Sequence, residues 1–152
     1  MSASESSRRV FLHVLGGSAG LGVASLCGLG CSNATGGNGP AGTISAGNVS
    51  DVAVGSIAAV DGMSVAIARD EGGLYAMTLI CTHQDCDMQY DGTVTPDGLT
   101  CTCHGSEFDV NGAVTRGPAV TALEHYEVTV DSAGEITINA DQVVDASTRT
   151  AV

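Results

Sequence analysis

Ser64-Val65-Ala66-Ile67-Ala68-Arg69-Asp70-Glu71-Gly72-Gly73-Leu74-Tyr75-Ala76-Met77-Thr78-Leu79-Ile80 reads as a β-hairpin. The first six residues alternate, Asp70 to Gly73 supply a turn, and the apolar run from Leu74 to Ile80 is the return strand. A similar unit closes the domain, where His125 to Val130 and Glu135 to Asn139 flank Asp131-Ser132-Ala133-Gly134. No segment holds the 3.6-residue period of a helix. The chain has 21 glycines and no Trp, which suits short strands and turns. The expected fold class is all-β, a domain of small antiparallel sheets without internal repeats.

Outward toward the N-terminus the composition changes. Residues 1–9 are polar and end in Arg8-Arg9, and Val10 to Leu29 is glycine-rich and apolar. That order is the order of a secretory signal. Ser7-Arg8-Arg9-Val10-Phe11-Leu12 resembles the twin-arginine export motif, whose pathway carries folded proteins with their cofactors already inserted. Gly28-Leu29-Gly30-Cys31 resembles a bacterial lipobox, which would put a lipid on Cys31. The alternative is an uncleaved anchor over the 20 residues from Phe11 to Gly30, about the length that spans a bilayer. Either tethers the chain to the periplasmic side of the cytoplasmic membrane. Ser, Asn, Thr, Gly and Ala dominate residues 32–48, the composition of a flexible linker. The expected organisation is therefore signal or anchor at 1–31, linker at 32–48, folded domain at 49–142 and tail at 143–152.

The chain carries 17 Asp and Glu against five Arg, with no Lys and a formal charge of −12. Nucleic-acid binding needs clustered cations and is disfavoured. A basic protein partner is favoured by the same surface.

The six cysteines form two sets. Cys27 and Cys31 end the leader; Cys81, Cys86, Cys101 and Cys103 lie in the folded part with two histidines. The loop Cys81-Thr82-His83-Gln84-Asp85-Cys86 follows a strand, and Cys101-Thr102-Cys103-His104-Gly105-Ser106 follows another. Seventeen residues separate His83 from Cys101. Each loop offers one Cys–His pair plus one further cysteine, the donor types that a 2Fe–2S cluster with two thiolates and two imidazoles needs. A zinc site is the alternative, although such sites usually pair two C-x-x-C units, which neither loop has. Two plain disulfides are also open, and would leave both histidines unexplained. His13 and His125 have no motif around them and read as ordinary residues.

The two loops resemble the cluster-binding motifs of the Rieske 2Fe–2S iron–sulfur family, together with Gly105, Ser106 and Arg116-Gly117-Pro118-Ala119. The likeness covers roughly residues 60–130. It implies one 2Fe–2S cluster per chain in a subdomain of two loops, with Cys81 and Cys101 on one iron and His83 and His104 on the other. It further implies a Cys86–Cys103 disulfide, as in the high-potential members, and a covering loop at Gly117-Pro118-Ala119. Ser106 would donate to a bridging sulfide. Phe108 stands where high-potential members have a tyrosine, and Gln84-Asp85 where quinol-oxidising members have an apolar residue and glycine.

The function that this resemblance implies is one-electron transfer. The chain would serve as the iron–sulfur subunit of a quinol–cytochrome c reductase-like or other periplasmic oxidoreductase. The small Rieske subunit of an arsenite-oxidase-like molybdenum enzyme is the alternative, and a zinc- or disulfide-stabilised binding domain a remote one. Expected partners are redox proteins: a c-type cytochrome, a cytochrome b complex or a molybdenum oxidoreductase. No nucleophile–base pair is legible, so the chain alone is not expected to be an enzyme.

Overall fold

The computed structural model describes residues 39–152. Among them the fold is all-β, with ten strands, one 3-10 turn and no α-helix. β1 is Thr43–Asn48, β2 Ser56–Val60, β3 Val65–Asp70 and β4 Gly73–Thr78. β5 is Gly92–Thr95, β6 Gly98–Cys101, β7 Glu107–Phe108 and β8 Val114–Arg116. β9 is His125–Val130 and β10 Glu135–Val144. A six-stranded sheet runs β1-β10-β9-β4-β3-β2, and a four-stranded sheet runs β5-β6-β7-β8. Every pairing is antiparallel.

The expected hairpins are present as β3–β4 and β9–β10, and their two faces explain the core. Val65, Ile67, Leu74 and Ala76 enter one apolar cluster with Ile44, Tyr126, Val128, Ile136 and Ile138. Ala66, Ala68, Tyr75 and Met77 enter a second cluster with Leu79, Cys81, Met88, Leu99, Cys101 and Phe108. β4 is therefore buried along its whole length, which requires apolar residues at both parities. The second cluster joins the two sheets and contains both unpaired cysteines of the described residues, Cys81 and Cys101.

Two boundaries differ from the sequence expectation. Thr43–Asn48, placed in the linker, is an edge strand paired with β10. Its burial alternates around a single large apolar residue, Ile44, so its composition reads as linker while its backbone hydrogen bonds make a strand. The expected tail is also part of the domain. β10 extends to Val144, and Leu74 and Thr150 exchange backbone hydrogen bonds of 2.9 and 2.8 Å. The twin-arginine segment, the lipobox with Cys31 and the first part of the linker lie outside the described residues.

β4 leads directly into Cys81, and β9 begins where the loop from Arg116 to Glu124 ends. The strand ends thus gather both cysteine loops and the 117–121 segment at one end of the fold.

Candidate metal centre

The two cysteine loops share one backbone design. In the first, the Cys81 N–H donates to the Cys86 carbonyl at 2.8 Å and the Asp85 N–H to the Cys81 carbonyl at 3.0 Å. In the second, the Cys101 N–H donates to the Ser106 carbonyl at 2.9 Å and the Gly105 N–H to the Cys101 carbonyl at 3.0 Å. Each loop is a tight turn that starts from a cysteine 1% exposed. The histidine follows two residues after the cysteine in the first loop and three in the second.

The loops are bound to each other. Cys86 and Cys103 form a disulfide with a Cα–Cα distance of 6.6 Å. The Thr102 N–H and hydroxyl both donate to the carbonyl of Asp91, beyond the first loop, at 2.9 and 2.8 Å, which continues the β5–β6 pairing into the second loop. A third segment is stitched to both. The Ala119 N–H donates to Ser106 Oγ at 3.0 Å, and Thr82 Oγ1 donates to the Thr121 carbonyl at 2.6 Å. Ser106 is fully buried, and because its oxygen accepts from Ala119, its own proton is left to donate.

Within this frame the imidazoles of His83 and His104 meet edge to face, with centroids 4.8 Å apart. Cys81 and Cys101 are free, buried thiols. Burial pushes the Cys101 thiol up, and the Cys81 thiol beside it adds to the rise. Neutral, the Cys101 thiol packs as a small apolar group, and its thiolate would form in this core only where a cation shares the charge. His83 Nδ1 is buried with no hydrogen-bond partner. A buried polar atom without a partner costs about 1–3 kcal/mol. These donors, two sulfurs and two convergent imidazoles with one bare nitrogen, fit a cluster bound by two thiolates and two histidines. Cys86, Cys101 and Cys103 also have their sulfurs within 4.8 Å of one another. Two of those sulfurs are consumed in the disulfide, which leaves Cys101 as the free thiol of that group.

The structure thus sets His83 against His104, puts Cys81 beside Cys101, places Ser106 at the end of the second loop and forms the Cys86–Cys103 bond. Phe108 is buried at 2% in the same apolar cluster as the two thiols and brings no hydroxyl to it. Gln84 and Asp85 stand exposed beside His83. The bracing roles of Thr82 and Thr102 were not legible in sequence. Their acceptors lie 39 and 11 residues away, and a threonine in a loop carries no signal of so distant a bond.

Comparison with known proteins fits this geometry. Over 67 residues the chain is 40% identical to the cytochrome b6-f complex iron-sulfur subunit of Prochlorococcus marinus strain MIT 9515, covering 43% of this chain and 36% of that protein. Over 98 residues it is 30% identical to the subunit of the same name from Chlorobaculum tepidum, covering 63% of this chain and 52% of that one. The matched part is therefore about a third to a half of these relatives' length. The cyanobacterial plasma membrane Rieske protein of Synechocystis PCC 6803 shares the fold, with a TM-score of 0.50 at 24% identity over 64% of this chain and 99% of that one. The model of the Rieske [2Fe-2S] domain matches residues 43–127, more than half of the chain, and the protein therefore belongs to the Rieske 2Fe–2S family.

Proposed function

We propose that the chain is a one-electron carrier whose 2Fe–2S cluster is held by Cys81 and Cys101 on one iron and by His83 and His104 on the other. The observation that carries this reading is the convergence of the two imidazoles, 4.8 Å apart, on two loops that each start from a buried unpaired cysteine. When bound, the cluster supplies a one-electron site that neutral imidazole ligands raise in potential relative to an all-thiolate one. The chain's own residues do the rest. The disulfide holds the loops together, Thr102 fixes the second loop to the segment leading into β5, Thr82 and Ser106 hold the 117–121 segment against them, and the Ser106 hydroxyl is placed to donate into the centre. The apolar cluster that includes Phe108, Leu99 and Met88 keeps water from the sulfur side.

The reading extends to a setting. The N-terminal sequence supports twin-arginine export and a membrane tether, by a lipid on Cys31 or by an anchor, on the periplasmic side. The named relatives support the iron–sulfur subunit of a quinol-oxidising cytochrome complex as the parent assembly. The exposed Gln84 and Asp85 favour the second reading, a small Rieske subunit serving a different periplasmic oxidoreductase such as an arsenite-oxidase-like molybdenum enzyme, because a polar, anionic tip suits an apolar quinol pocket poorly.

The test is iron and sulfide analysis with electron paramagnetic resonance of the dithionite-reduced protein. Two irons, two sulfides and a rhombic signal with average g below 2 are expected, and they should vanish in Cys81→Ser and His104→Ala. A His104→Ala protein that kept its iron and its spectrum would overturn the ligand set.

A further inference from the structure

Beside the first cysteine loop lies a cleft of about 360 Å³. Thr82 and Asp85 of that loop form one wall, Thr121 and Glu124 of the covering segment another, and Ile80 and Tyr126 the floor. Two of its lining residues, Thr82 and Asp85, flank His83 in the first cysteine loop. We propose that this cleft receives a lysine or arginine side chain from the docking face of a basic redox-partner protein, clamped between Asp85 and Glu124. The proposal rests on the electron-transfer reading above and specifies the partner's chemistry.

Charge complementarity carries it. Asp85 and Glu124 are exposed, and among the described residues neither has a cationic partner. The three described arginines are engaged elsewhere. Arg116 pairs with Glu107 at 3.0 Å, Arg149 with Asp70 at 2.6 Å, and Arg69 donates to the Val52 carbonyl at 3.2 Å. The carboxylates of the cleft are therefore unbalanced from within, in a chain whose formal charge is −12. The threonine hydroxyls of the walls offer further oxygen to an ammonium or guanidinium. Val120, next to Thr121 in the chain, is 92% exposed and offers an apolar contact of the kind that accompanies polar groups in a docking patch. Rim charges of this sort act mainly by steering encounter, so their signature is an association rate that salt suppresses.

The experiment uses the full-length protein and a lysine-rich cytochrome c as probe. Stopped-flow oxidation of the reduced protein by the cytochrome gives a second-order rate constant across ionic strength, and isothermal titration of the two gives binding. Asp85→Asn and Glu124→Gln are each expected to lower the rate constant about threefold at low salt, to flatten its salt dependence and to weaken binding. Asn is chosen at Asp85 because it tolerates the same left-handed backbone. Glu71→Gln, in the β3–β4 turn at the opposite end of the strands, should behave as the parent. Ferricyanide, an anion, should oxidise the two cleft variants faster than the parent. Rates and binding unchanged in both cleft variants, or lowered equally by Glu71→Gln, would overturn the proposal. Binding that weakens as expected in a protein without a reducible centre would uphold the docking cleft and sink the electron-transfer reading instead.

Discussion

Asp85 and Gly105 hold the same place in two turns built alike. Each is the fourth residue after a buried cysteine, each donates its N–H to that cysteine's carbonyl at 3.0 Å, and their φ angles are +54° and +81°. Left-handed backbone costs an L-residue roughly 1–2 kcal/mol, least for Asn and Asp, and costs glycine nothing. The first turn keeps a side chain at a strained position where the second uses glycine.

Two substitutions test that equivalence by urea denaturation of the loaded protein. Asp85→Gly should stabilise by about 0.5–1 kcal/mol, the relief of strain less the added freedom of the unfolded chain. Gly105→Ala should destabilise by about 1–2 kcal/mol. A Cβ at Gly105 meets no atom within 4 Å, so that loss is conformational rather than steric. If Gly105→Ala is neutral, the turns are not equivalent.

The disulfide closes a loop across a sequence separation of 17. Replacing Cys86 and Cys103 together by Ser should lower stability by about 3 kcal/mol, through the larger freedom of the unfolded chain. Peptide mapping of the alkylated parent should find the two residues linked. Two free thiols in protein purified under oxidising conditions would contradict the pairing.

Arg149 fastens the C-terminal segment to the domain. It donates to Asp70 at 2.6 Å, to Asn111 Oδ1 at 2.8 Å and to the carbonyls of Ala146 and Thr148, and it lies 3.8 Å over the Tyr75 ring. Arg149→Ala should cost about 2 kcal/mol, from the stranded acceptors and the ring contact more than from the half-exposed ion pair. Arg149→Lys should recover only part of it, because an ammonium cannot serve several acceptors in one plane. Thermal melts of both variants decide this.

His125 makes stability depend on pH. It is 2% exposed, stacks on Tyr75 with centroids 5.8 Å apart, and has Nε2 3.0 Å from the Asn111 carbonyl. The proton of the neutral ring therefore sits on Nε2, donating to that carbonyl, and the bare Nδ1 is buried without a partner. Burial holds its pKa below the ordinary 6.5, against the upward pull of the hydrogen bond to the Asn111 carbonyl; the nearby Arg149 lowers it further, and Asp145 and Asp109 pull it up. As pH falls below about 6.5 the unfolded chain takes up this proton before the folded one does, so stability is full above that pH and falls on acidification. His125→Phe keeps the stack and should flatten the profile between pH 7 and 5. Urea midpoints for parent and variant check it, and parallel profiles would show that His125 is not the titrating group.

What the sequence disclosed depended on how local the physics was. The hairpins β3–β4 and β9–β10 are legible because alternation and turn residues sit side by side. The cysteine and histidine pairs are legible because each lies within one turn. β1 is hidden, since an edge strand needs little more than its backbone and Ile44. The C-terminal segment is hidden for another reason: Gly73 packs against Thr150 so closely that a Cβ there would come within 2.2 Å of its carbonyl oxygen, a contact between residues far apart in sequence. The strand order and the threonine braces are likewise products of distant pairings that no short window contains.

The disulfide also turns residues 86–103 into a covalent ring, and the β5–β6 hairpin lies wholly inside it. Fraying of that hairpin, or of any strand within the ring, leaves the junction of the two cysteine loops fastened. Heat can loosen the belt's contents without unbuckling it, whereas a reductant opens it at one bond. Retention of whatever the loops grip is then governed by the electron economy of the surroundings before it is governed by temperature.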